Sequence, residues 1–164
     1  MPKFFGVLVV GAAICVMLTW RLLPPVVASN FGLDGAANGA VSRSTYCTQM
    51  LALILVIPSL VALTGPLVGI LPAEMISLPN RHVWLAPEHR AGTVAVLSQM
   101  MVQFASALAI FLCFVHWQVV RANLMQPPRL DMPLFLAGVL VFLGGVLAWT
   151  VTLYLRFSRP PRVG

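Results

Sequence analysis

Apolar residues run through this chain in long blocks, not in a helical stripe or an alternating strand pattern. Phe4 to Leu23 is broken only by Arg21 near its end. Cys47 to Leu71, Ala91 to Val120 and Met132 to Leu155 carry no Asp, Glu, Lys or Arg. A helix needs about 20 apolar residues to cross a hydrocarbon core, and each block is long enough. A soluble helix would keep a polar face, and a membrane barrel would read as alternating segments of about ten residues. Neither pattern is present. A lipid core offers the backbone no water, so each crossing must satisfy its own hydrogen bonds, and the blocks predict helices. The expected architecture is an all-α integral membrane protein, a four-transmembrane-helix bundle forming one domain over residues 1–164. Its spans are expected at about 4–23, 47–71, 92–120 and 132–155, with Pro58 and Pro66 bending the second. An ordered outer loop 24–46, an amphipathic inner loop 72–91, an outer loop 121–131 and an inner tail 156–164 complete the chain.

Composition agrees with that picture. Of 164 residues, 60% are hydrophobic and 9% are charged, whereas a soluble domain carries about 25% charged residues. Disorder needs low hydrophobicity and is excluded on the same ground. Ten Lys and Arg against four Asp and Glu leave a net charge of +6, but the positive residues are scattered and no nucleic-acid module is visible. Lys and Arg near span ends set orientation. One side holds Lys3, Arg81, Arg90, Arg156, Arg159 and Arg162; the other holds Arg21, Arg43, Arg121 and Arg129. That excess places both termini in the cytoplasm. A cleaved leader could be read from Lys3, the first apolar block and Val26-Val27-Ala28. The block reaches Leu23 with Trp20 at an interfacial level, so it is expected to stay as the first span. Cys15, Cys47 and Cys113 have neither metal nor disulfide spacing.

Two loops carry pattern. In the first, Pro24-Pro25, Phe31 and the turn signals Asp34-Gly35 and Asn38-Gly39 point to a folded cap with Phe31 as a docking knob, and Ser42 is placed to cap the second span. In the second, Trp84 between Val83 and Leu85 suits a segment lying in the interface. Pro87 and Glu88 suit the first turn of the third span.

Together these loops resemble the SdpI-type bacterial membrane proteins and their shorter relatives, over roughly residues 20 to 95. That group carries Leu-Pro, His-Phe, a glycine and Pro-Asp-Gly before Ser-Lys or Ser-Arg in its first outer loop. Here Leu23-Pro24, Phe31, Gly35, Gly39 and Ser42-Arg43 match, with Asn30 in the place of His and Ala37-Asn38 in the place of Pro-Asp. Leu78-Pro79-Asn80-Arg81, Trp84 and Pro87-Glu88-His89-Arg90 are similar to its second pattern. The resemblance implies a polytopic protein of the bacterial inner membrane with a non-catalytic role, such as toxin immunity or envelope signalling. Asn30, Phe31, Gly35, Gly39, Arg43, Asn80, Arg81, Trp84, Glu88 and Arg90 are its candidate binding residues.

Other residues bear on chemistry. His82, Glu88 and His89 share the inner loop, but they form no zincin motif and no metal site is expected. His116, in Phe114-Val115-His116-Trp117-Gln118, lies about one turn from the outer end of the third span. An interfacial hydrogen-bonded histidine is the preferred reading, with ligation of a haem or pigment as the alternative. Gln99 and Gln103 are expected to bond a neighbouring helix. Gly65/Gly69 and Gly144 with Gly145 are expected to let helices approach closely. No Asp, Glu or Lys lies inside a span and no nucleophile motif appears, so no catalytic residue is assigned. The reading is a non-enzymatic protein acting through contacts with lipids and with a membrane-protein partner or its own copies: an accessory subunit, an assembly factor, or an SdpI-like sensor or immunity protein. A small oligomeric transporter or channel is the alternative.

Overall fold

Residues 2–159 are described by a computed structural model, so Arg162 and the rest of the tail beyond Arg159 lie outside the described residues. Among the described residues, four helices are long and apolar enough to cross a membrane. They are α1 (Pro2–Thr19), α2 (Arg43–Leu67), α4 (Pro87–Asn123) and α5 (Met132–Ser158), with α3 (Arg81–Trp84) a single turn between α2 and α4. A protein with four such apolar helices is a multi-pass membrane protein.

The first loop is not helical. It folds into an antiparallel hairpin of β1 (Val26–Phe31) and β2 (Ala37–Ser42), so the protein is not wholly α. Of the two turn signals, Asp34-Gly35 makes the hairpin's reversal, with Gly35 at φ 80°. Asn38-Gly39 instead lies within β2, Gly39 pairing with Asn30. The strand continues there because Asn30 packs over the Gly39 backbone: a Cβ at Gly39 would stand 2.8 Å from the Asn30 amide nitrogen.

Helix ends follow capping chemistry. Ser42 Oγ accepts from Thr45 N at 3.1 Å and starts α2 at Arg43, one turn before the expected Cys47. Asp131 accepts from Leu134 N and starts α5. Helix α4 opens on Pro87 and runs 37 residues, roughly 55 Å at 1.5 Å per residue. That exceeds a ~30 Å hydrocarbon core, so its ends reach past it.

The core forms where α1, α2 and α4 meet. Ala12, Val16, Tyr46, Cys47, Met50, Ile54, Val119 and Val120 are buried there, with Leu23 and Val27 of the hairpin end above them. A smaller cluster of Leu97, Met100 and Phe157 closes the opposite end. Gly65 marks a close approach of α2 to α4, because a Cβ there would collide with the Ser98 backbone. Helix α5 stands apart: Phe157 is its one buried residue.

Candidate functional site

The most concentrated buried chemistry lies beneath the hairpin. His116 of α4 is 1% exposed. Its Nε2 is 2.7 Å from Thr19 Oγ1 of α1, and its Nδ1 is 3.0 Å from the Tyr46 hydroxyl of α2. The Tyr46 ring lies nearly parallel to the imidazole, at 18°. A hydroxyl has a single proton to give. Thr19 can donate its own to Cys15 O or Val16 O, at 2.9 and 3.0 Å. Its oxygen then accepts from Nε2–H, while Nδ1 accepts from Tyr46. Every proton of the node finds an acceptor in this assignment, which follows from the heavy-atom geometry. His116 thus makes hydrogen bonds, as the sequence reading expected, but inside a node of three helices. Ligation of a pigment or metal would have to displace one hydroxyl. Thr19 and Tyr46 escaped the sequence reading because they lie 97 and 70 residues from His116.

Two turns further, Asn123 fastens the hairpin to α4. Its Oδ1 accepts from Ala28 N at 2.8 Å and its Nδ2 donates to Ala28 O at 2.9 Å, replacing the bonds a third strand would supply. The motif residues of this loop have structural work. Phe31 is half-buried against the core, so it is no free knob. Gly35 O accepts from Leu130 N at 2.9 Å, and a Cβ on Gly35 would collide with Leu130 O. Arg43 donates to Leu23 O at 3.0 Å and lies over the Trp20 ring. Asn30 is exposed.

At the opposite end, the second motif closes helix termini, whose last carbonyls otherwise lack partners. Asn80 Nδ2 donates to Phe157 O and Ser158 O, and Trp84 Nε1 donates to Phe157 O at 2.9 Å. Arg90 donates to Leu71 O at 2.6 Å, just past the end of α2. Arg81 reaches Glu74 O at 3.1 Å. Glu88 is exposed in the first turn of α4. His82 is exposed on α3, and His89 packs edge-on to Trp84.

The helix-contact candidates divide. Gly65 is a true contact point, whereas Gly69 lies beyond the end of α2 against Val94. Gln99 and Gln103 are exposed and, among the described residues, bond no neighbouring helix. They face away from the α1–α2 side that α4 buries. Gly144 and Gly145 have open space where a Cβ would be. The unflagged Gly138 is the tight one on α5, packed under the Phe114 ring. Below that contact, α4 and α5 part to leave an apolar cleft of about 490 Å³. No protein-family model, characterised protein or solved structure matches the chain.

Proposed function

We propose that the protein is a non-enzymatic, multi-pass protein of the bacterial inner membrane, with both termini cytoplasmic, that works by binding another membrane protein. An accessory subunit, an assembly factor and an SdpI-like sensor or immunity protein all fit this description. The observation that carries it is the exposure of α5. The helix is tied at both ends, yet buries only Phe157, and it turns Leu136, Leu140, Leu143, Leu147 and Val151 outward. Small residues let transmembrane helices approach closely, and Gly144 sits open on this helix. The resemblance of both loops to SdpI-type proteins supports the same reading. The polar residues of those loops fasten the fold, which leaves the apolar helix surface as the place for recognition.

The test is isolation of the tagged chain from its native membrane in mild detergent, beside Gly144→Trp. A stoichiometric larger complex is expected from the parent chain. The variant should lose the partner while keeping its melting temperature, since nothing stands within 4 Å of a Cβ at Gly144. A chain recovered only as its own oligomer would overturn the reading and favour the transporter alternative, which liposome flux then tests.

A further inference from the structure

At the hairpin end of the molecule, two loops remote in sequence bring charges of both signs around one pocket. Its volume is about 290 Å³, at the lower bound of the roughly 300–1,000 Å³ of small-molecule sites. Asp34 of the hairpin turn and Arg129 and Asp131 of the α4–α5 loop line it, with Met125 and Met132 on its apolar wall. Backbone bonds hold the frame. Ala36 forms a β-bridge with Arg129, Leu130 N donates to Gly35 O at 2.9 Å, and Arg129 N donates to Ala122 O at 3.3 Å.

The three charges keep unused bonding capacity. Asp34 Oδ1 accepts from Ala36 N at 3.1 Å, and Asp131 Oδ1 accepts from Leu134 N at 3.2 Å. Each bond engages one oxygen of a carboxylate that has about four acceptor positions. Arg129 donates to Asp34 O at 3.3 Å through one of its several N–H groups. All three side chains are exposed, and they stand at headgroup height. Trp117 is half exposed on α4, where tryptophan marks the edge of the hydrocarbon. Ala122, which carries the loop, lies five residues further, about 7 Å along the axis. Polar headgroups fill that layer, which is roughly 5–8 Å deep on each face of a bilayer.

We propose that this pocket holds the head of a zwitterionic phospholipid that ends in a primary ammonium, in the leaflet on the hairpin side. Arg129 donates to the phosphate, which its forked guanidinium suits. The ammonium donates to the free oxygens of Asp34 and Asp131. A primary ammonium has donors for both carboxylates, whereas a trimethylammonium has none. A head that is only anionic leaves both carboxylates unpaired and is repelled by them. Free phosphoethanolamine carries the same two charges but has nothing to place against Met125 and Met132, so the lipid is the occupant.

Native mass spectrometry of the full chain with phosphatidylethanolamine, phosphatidylcholine or phosphatidylglycerol of identical acyl chains tests this. Phosphatidylethanolamine is expected to bind one-to-one, about tenfold more tightly than either of the others, the worth of one charged hydrogen bond at an exposed site. Excess free phosphoethanolamine should not displace it. Asp131→Asn keeps an oxygen to cap α5, and together with Asp34→Asn it should erase the preference without lowering the melting temperature. Arg129→Gln, an independent arm, should weaken all three lipids alike. Equal binding of the three lipids by the parent chain, no adduct at all, a preference that survives the paired asparagine variant, or displacement by free phosphoethanolamine would each overturn the proposal.

Discussion

His116 shows how one residue can be conspicuous in a sequence while its role is not. An imidazole in an apolar block stands out, but the atoms that satisfy it come from helices remote in sequence. Replacing it leaves two buried hydroxyls and a cavity. His116→Ala is expected to cost about 3 kcal/mol, from lost hydrogen bonds and lost packing together. Tyr46→Phe removes only the donor to Nδ1 and should cost about 1–2 kcal/mol. Denaturant unfolding in detergent micelles measures both. A His116→Ala protein as stable as its parent would show that the node does not hold the three helices together. Among the glycines expected at helix contacts, Gly65 does meet a neighbouring backbone, at Ser98, whereas Gly144 and Gly145 meet none, so glycine in an apolar block does not by itself mark a contact.

Among the elements, α5 buries one residue along its length, so it is held by the Gly138–Phe114 and Phe142–Phe111 contacts and the Trp149 bond to Met100 O along α4, and by Asn80 and Trp84 at its finish. Asn80 does this from a left-handed backbone, at φ 52°. Asn80→Gly keeps that backbone and loses the two bonds to α5; Asn80→Ala loses the bonds and also meets the left-handed penalty of roughly 1–2 kcal/mol. Both variants should speed amide exchange in the last turn of α5, and the alanine variant should be the less stable by about 1 kcal/mol. Equal stability would mean that the Asn80 backbone is not held left-handed. The four apolar helices were legible from block length alone. The hairpin was legible only as a folded cap, because Val26–Phe31 shows no alternation and Asn38-Gly39 imitates a turn. Its strands pair with each other, and Asn123 of a distant helix bonds both backbone groups of Ala28 on the free edge.

The whole molecule has two fastened ends, a hairpin docked on α4 and the α2–α4 loop tied to α2 and α5, joined by apolar helices. Excess Lys and Arg on the side of the termini and the α2–α4 loop predict that side to be cytoplasmic. Leu33 at the hairpin tip is 94% exposed, and His82 is exposed at the other end. In a background without the native cysteines, an impermeant maleimide should label Leu33→Cys in intact cells, and His82→Cys only after permeabilisation. The reverse pattern would place the termini outside.

Membrane character, helix number and the positions of the blocks were readable from the amino-acid order, because transfer of a side chain into lipid is a property of that residue and its neighbours along the chain. Caps such as Ser42 and Asp131 were within reach for the same reason, since their bonds close over three residues. The Thr19–His116–Tyr46 node, the Asn123 clamp and the conversion of motif residues into helix-end closures were settled only by folding. Each depends on groups brought together from separate helices, and a hydrogen bond between distant residues leaves no periodicity in the chain that forms it.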